Sequence, residues 1–233
     1  MTGKIIQVFG SDEYIARRAK VSTDRDAEEL NEKSFIDFLV RNEHFSPFEF
    51  AHLDIELNVP IWALRQIFRH KGAKIEKSRR YTKDLPEIEP GIGVDPYEIT
   101  EKYNKLLKMG KKPEQARKIL PVGTYTRAIW QPNVRDFLFT CRSRISSHAQ
   151  IEVRNLFEDL FVQFALKFPN TSYSFLIYHM GTKPFSVLET KEVLDNVEAR
   201  NTLVEGLLDR IIKEVSVSQE SSEEVEHFVQ DDI

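Results

Sequence analysis

Ala51-His52-Leu53-Asp54-Ile55-Glu56-Leu57-Asn58-Val59 alternates apolar and polar residues without a break, and Pro60 follows it. Side chains of a strand point to opposite faces in turn, so the pattern predicts a strand with one apolar and one charged face. Pro60 ends the strand and suits the first turn of a helix, where its missing N–H costs nothing. In that helix Ile61, Leu64 and Phe68 share one face by the 3.6-residue period. Gln66 and His70 are expected to share another, as are Arg65 and Arg69. Two arginines four residues apart repel unless an anion or a carboxylate is near.

This strand and helix hold the stretch Arg69-His70-Lys71-Gly72-Ala73-Lys74-Ile75-Glu76-Lys77-Ser78-Arg79-Arg80-Tyr81. It gathers cations, a histidine, a carboxylate and hydroxyls. Such a mixture suits a phosphorylated ligand: cations answer the phosphate, and the other groups read sugar and base. The plainer reading is a solvated helix end whose cations face the negative pole of the dipole. Composition alone favours the plainer reading.

Upstream, Met1 to Phe9 predicts a short strand ended by Gly10-Ser11-Asp12, and Glu13 to Val21 a helix. Ser22-Thr23-Asp24 offers a cap, with one helical piece around Ala27 and Leu30. A second helix is expected to start near Ser34, with Asp37 as a capping-box acid and Phe35, Phe38 and Leu39 as its apolar stripe. His44-Phe45-Ser46-Pro47-Phe48-Glu49 reads as a loop of polar and aromatic residues.

Downstream, Tyr81 to Pro96 is rich in Pro and Gly and is expected to be extended. Tyr97 to Met109 returns to helix. Pro113 opens a short helix that Pro121 ends, and Thr124-Tyr125-Thr126 and Trp130 follow. Asn133 reads as an N-cap with Asp136 at the third helical position. One long helix is expected after it, carrying Arg144, His148 and Glu152 on one face and an apolar stripe of Phe157, Leu160, Phe161, Phe164 and Phe168. An arginine cannot shed its charge, so Arg144 calls for an anionic ligand or for a carboxylate such as Glu152. Tyr173 to Tyr178 predicts a last strand or short helix. Lys191 to Val215 is amphipathic, and Ser216 to Ile233 is acidic and expected to be mobile.

The bulk numbers bound the answer. The chain has 233 residues, 30% charged and 41% apolar, an ordinary soluble composition with ample length for a core. The net charge of −4 argues against a general nucleic-acid binder. The apolar residues near the N-terminus are interrupted by polar ones and too few to span a bilayer. A single cysteine, Cys141, excludes an internal disulfide and a cysteine-built zinc site, and its apolar neighbours predict a buried, inert thiol. A cytoplasmic setting follows. The histidines show no metal spacing. Gly91-Ile92-Gly93 lacks the third glycine of a dinucleotide fingerprint, and no P-loop occurs.

Five blocks in fixed order resemble the flavin-dependent thymidylate synthase family. They are the loop His44 to Glu49, the helix Pro60 to His70, and the pattern from Arg69-His70-Lys71 to Ser78-Arg79-Arg80-Tyr81. Ala116-Arg117 with Leu120-Pro121 and Thr124 to Arg127 form the fourth. Asn133-x-Arg135 with Arg144 and Ser147-His148-Ala149-Gln150 form the fifth. The likeness spans roughly Ala16 to Tyr178. Against the family pattern, Lys71 stands for an arginine, the central block is one residue short, Ile75 falls where an asparagine is expected, and Phe139 where an amide is frequent.

The resemblance implies an α+β fold with a mixed or antiparallel sheet flanked by helices. It implies a catalytic domain over residues 1–181 and a C-terminal extension over 182–233. It implies conversion of dUMP to dTMP, with methylenetetrahydrofolate as carbon donor and NADPH as reductant through FAD, by a homotetramer with shared active sites. No metal, membrane or nucleic acid is expected to take part. By position, Gln66, Arg69, Glu76, Ser78, Arg80, Arg117 and Arg144 would bind dUMP, with Ser78, Arg80 and Arg117 on the phosphate. Arg144 is the catalytic candidate, set against the uracil. Ser22, Ser46, Arg69, His70, Lys71, Asn133, Arg135 and His148 would contact FAD, with His44 and Tyr81 as walls near flavin and folate. Two other readings stay open: a flavin-dependent pyrimidine-nucleotide hydroxymethylase, and a non-catalytic nucleotide- or RNA-binding relative.

Overall fold

The computed structural model describes residues 1–21, 31–91 and 93–180. Ser22, the helical piece around Ala27 and Leu30, and everything expected of Lys191 to Ile233 lie outside the described residues. The chain divides into two compact units. One comprises residues 1–7 and 53–132, the other 8–52 and 133 onward.

The first unit is built on a four-stranded sheet in the order β1-β2-β4-β3, with β1 at Thr2–Phe9, β2 at His52–Pro60, β3 at Ala73–Glu76 and β4 at Tyr125–Gln131. β2 and β3 both pair antiparallel with β4, in registers that oppose Leu57 to Ala128 and Ile75 to Ile129. The alternation in β2 does what it predicts: Leu53, Ile55, Leu57 and Val59 are wholly buried. β4 sends Thr126, Ala128 and Trp130 to the same buried side. Antiparallel sheet with helices is the expected α+β class.

Pro60 closes β2 and caps the short helix α1 of this unit, Ile61–Ile67. No side chain caps it. Its first N–H groups, those of Ile61 and Trp62, donate instead to the carbonyls of Thr124 and Val122 at 3.0 Å each, which meets the need of orphan donors at a helix start. Ala63, Leu64 and Ile67 form its buried face, whereas Ile61 and Phe68 stay half-buried. The helix α2, Pro96–Lys108, starts at Asp95, whose carboxylate accepts from the N–H of Tyr97 at 2.9 Å. The turn α3, Pro113–Ala116, continues as a 3-10 turn over Arg117–Ile119.

The second unit is helical. α4, Asp12–Lys20, is capped by Ser11, and α5, Glu32–Arg41, by Asn31, whose side chain accepts from Ser34 N–H at 3.2 Å. Ser34 is therefore inside the helix and Asp37 is no capping acid. It accepts from Ser174 Oγ at 3.0 Å and Tyr178 OH at 3.2 Å. Ile36, Leu39 and Val40 make the buried stripe, while Phe38 faces solvent. α6, Val134–Arg144, α7, Ile151–Ala165, and α8, Pro169–Phe175, complete the unit, and Leu176–Met180 continues α8 as a wider turn. Phe157, Leu160, Phe161, Phe164 and Phe168 are all fully buried, as their spacing predicts. Residues 173–178 are helical rather than a strand.

Candidate active site

The signature stretch begins where α1 ends. The helix stops at Ile67, so Arg69 and His70 lie beyond it and share no helical face with Arg65 and Gln66. Phe68 N–H still donates to Leu64 O at 2.8 Å, and His70 N–H to Ile67 O at 3.0 Å, which tightens the exit. Arg69 and Lys71 are exposed and His70 is half-buried. Residues 73–76 are then an edge strand, unforeseen in the sequence. Its register puts Ile75 opposite Ile129 and Glu76 opposite Ala128. Directly opposed residues share a face, so Glu76 and Ile75 point to opposite sides of the sheet.

The cations of this stretch divide into two sets. Lys77 Nζ reaches Asp84 Oδ2 at 2.9 Å, and Arg79 bonds the carbonyls of Asp84 and Tyr125 at 3.3 Å each. Arg79 is mostly buried, with 12% of its side chain exposed. The hydrogen bond from Lys77, aided by the charges of Arg79 and Lys77, holds Asp84 below the usual carboxylate range. These cations brace the loop. Arg80 points the other way, with 57% of its side chain exposed. Ser78 Oγ accepts from Arg80 N–H at 3.3 Å, which keeps the hydroxyl and the guanidinium on one turn. Arg80 Nε meets Glu114 Oε2 at 3.0 Å, and its guanidinium lies 5.5 Å from the Tyr81 ring centre. Glu114 precedes Arg117 by three residues, so the ion pair brings Ser78 and Arg80 to the segment that carries Arg117.

In the second unit Asn133 caps α6, its Oδ1 accepting from Asp136 N–H at 2.7 Å. Arg135, the second residue of the helix, pairs with Glu49 of the 3-10 turn Ser46–Phe50. That contact brings Asn133, Arg135 and the turn holding Ser46 together. The expected single long helix does not exist. α6 ends at Arg144 and α7 starts at Ile151, so Arg144, His148 and Glu152 do not share a helical face. Ile145 leaves the helix with ψ near 40° and is buried, 3% exposed. Ala149 N–H then donates to Ser146 O at 2.9 Å, and His148 is exposed within this turn. Ser22 lies outside the described residues.

Phe139 is part of an aromatic cluster. Its ring centre is 4.9 Å from Phe45 and 5.7 Å from Phe175, edge-on to both, and 6.4 Å from His179. His179 Nε2 lies 2.8 Å from the Val40 carbonyl. His44 is exposed, its ring 5.7 Å from Phe38. Tyr81 is exposed as well. Cys141 is fully buried, and burial pushes its thiol well above the ordinary range. Among the described residues no group of three His, Cys, Asp or Glu side chains could hold a metal ion. No helix among them is long and apolar enough to cross a membrane. Sequence reasoning missed Glu49, Asp84 and Glu114. Glu49 and Glu114 meet their arginines across 86 and 34 residues, a separation that no local spacing reveals.

The sequence profile of the family described as "Thymidylate synthase complementing protein" matches residues 4–170. A protein of Thermotoga neapolitana named flavin-dependent thymidylate synthase is 30% identical over 195 residues, covering 75% of this chain and 90% of the relative. One of the same name from Pseudothermotoga lettingae is 31% identical over 198 residues, with 75% and 90% covered. Among solved structures, a UMP/dUMP methylase from Streptomyces cacaoi, bound with 5-Br dUMP, superposes with a TM-score of 0.67. It is 24% identical and covers 76% of this chain and 95% of its own, a likeness of fold.

Proposed function

We infer the reaction from one premise: this chain belongs to the thymidylate synthase complementing protein family, the flavin-dependent thymidylate synthases. It converts dUMP to dTMP in the cytoplasm, with methylenetetrahydrofolate as the carbon donor and NADPH as the reductant. The observation that carries this reading is the turn at Ser78 and Arg80. Its hydroxyl and guanidinium face outward beside the Arg117 segment, apart from the cations that Asp84 absorbs. Arg80 offsets the single charge of Glu114, and Arg117, three residues further along the chain, adds the net positive charge that a phosphate requires.

Ser78, Arg80 and Arg117 hold the dUMP phosphate, and Gln66, Arg69 and Glu76 contact the rest of the nucleotide. Arg144 lies against the uracil. There its fixed charge stabilises the negative charge that develops on the ring as C5 attacks the transferred carbon. The buried thiol of Cys141 takes no part, since a nucleophile must be a reachable thiolate.

The donor set fits FAD. Arg69, His70 and Lys71 present cations and an imidazole on one turn, which suits a pyrophosphate. Ser46, Asn133 and Arg135 are grouped by the Arg135–Glu49 pair. Glu49 engages one terminal nitrogen of Arg135, and the guanidinium keeps further N–H donors for a ligand. His148 completes the set, with Ser22 assigned by position. FAD, when bound, supplies the two-electron chemistry of the reaction. The working form is a homotetramer whose active sites draw residues from more than one subunit, with residues 1–181 as the catalytic domain and 182–233 as an extension to it.

The test is product analysis. Purified protein given FAD, NADPH, methylenetetrahydrofolate and dUMP forms dTMP, and NADPH oxidation depends on dUMP. A hydroxymethyl group at C5 would make it a hydroxymethylase instead. Protein that stays colourless with FAD and leaves dUMP unchanged would end the enzymatic reading.

A further inference from the structure

The signature turn needs something to fix it, because Arg69, His70 and Lys71 lie outside both α1 and β3. Two features of the same unit do so. Trp130, fully buried on β4, donates its indole N–H to the Lys71 carbonyl at 2.7 Å. Gly72 has φ +118, a conformation L side chains rarely adopt. A Cβ there would lie 2.5 Å from the Gln131 carbonyl oxygen and 2.8 Å from Trp130 Nε1. Gln131 pairs with Ala73 in the ladder, so that carbonyl has no room to move aside.

We propose that Trp130 and Gly72 form a positioning pair that sets the Arg69-His70-Lys71 turn for its ligand. Neither touches the ligand. Gly72 lets the turn close against the end of β4, and the indole anchors the peptide between Lys71 and Gly72. The inference rests on the proposed role of the turn in FAD binding.

The test measures turn order and ligand affinity separately, on the full chain. Trp130→Phe keeps a ring and removes the donor. Gly72→Ala keeps the donor and adds the Cβ. Val59→Ala, in the same sheet but opposite Thr126 and so at the far end of the β2–β4 pair from Trp130, gives the baseline for general loosening. Amide hydrogen exchange over residues 69–73 is expected to rise, relative to Val59→Ala, about tenfold in Trp130→Phe, the size of a lost buried hydrogen bond, and about as much in Gly72→Ala, where the added Cβ strains the corner against the Gln131 carbonyl. Exchange over Pro96–Lys108 stays unchanged. FAD affinity, read from flavin fluorescence on titration, falls about tenfold in both.

Exchange at 69–73 no faster than in Val59→Ala overturns the pairing. Faster exchange with FAD affinity unaltered overturns its positioning role. If the unsubstituted protein binds no FAD, the proposed function fails, and the exchange result still decides whether the pair orders the turn.

Discussion

Arg80 and Arg79 are neighbours with opposite employment. Arg79 is drawn into the fold by two carbonyls and Asp84, while Arg80 is presented to solvent with its hydroxyl partner. Both look alike as letters, and the difference arises from the turn that reverses side-chain direction between them. The loop depends on Asp84, whose carboxyl is held below its usual value. A group with a depressed folded pKa stabilises the native state above its unfolded value and loses that contribution as pH falls through the folded one. Acid should therefore loosen residues 77–84 in the range below about pH 4, the ordinary carboxylate value. Asp84→Asn should show that loosening already at neutral pH, read by proteolysis at Lys77 and Arg79. At Arg144 the expectation concerns chemistry. Arg144→Ala should stay folded and bind flavin, with dTMP formation reduced about a hundredfold or more, the usual loss when a transition-state donor is removed. Near-normal turnover would show that the catalytic charge lies elsewhere. Cys141→Ala should form dTMP at the unsubstituted rate, since its thiol is sealed in the core. Loss of turnover with the fold intact would contradict that.

At the scale of elements, what the sequence reveals depends on whether one face is much more apolar than the other. β2 is legible because its inward residues are large and apolar and its outward residues polar. β4 is hidden because its inward Thr126 and Ala128 are small or polar, while Ile129 faces out. β3 is hidden because all its residues are exposed on an edge, where no burial shapes the pattern. The break between α6 and α7 carries no proline or glycine, so periodicity runs through it unchecked. The helix nevertheless ends there, where Ile145 turns to ψ near 40°. α8 has a different support. Asp12 of α4, 4% exposed, accepts from Asn170 N–H at 2.8 Å, Thr171 N–H at 3.2 Å and Thr171 Oγ1 at 2.5 Å. Its burial nevertheless raises its pKa, so the hydrogen bonds only partly offset desolvation. Asp12→Ala leaves three donors without an acceptor and should cost about 1–3 kcal/mol in a denaturant titration. A neutral result would mean that water replaces the carboxylate.

For the whole molecule, the candidate site was legible as residue types in order, and much less so as geometry. The order of blocks singled out Ser78, Arg80 and Arg117, which one unit gathers through Glu114, and Asn133 and Arg135, which the other gathers with Ser46 through Glu49. Both gatherings depend on carboxylates far away in the chain, and only folding makes them neighbours. The family match, residues 4–170, takes in both gatherings and stops short of the acidic stretch Ser216 to Ile233. Every residue proposed to touch dUMP or FAD lies before residue 149. A segment rich in Ser and Glu has little apolar surface to bury against another subunit, and its charge would oppose an anionic substrate. A chain ended after residue 215 should therefore keep the mass of the proposed tetramer by light scattering, its flavin affinity and its rate of dTMP formation. Dissociation on truncation would place the acidic segment in a subunit contact. Faster dUMP capture at low salt, without dissociation, would instead place it near the substrate's approach, where its negative charge slows an anion.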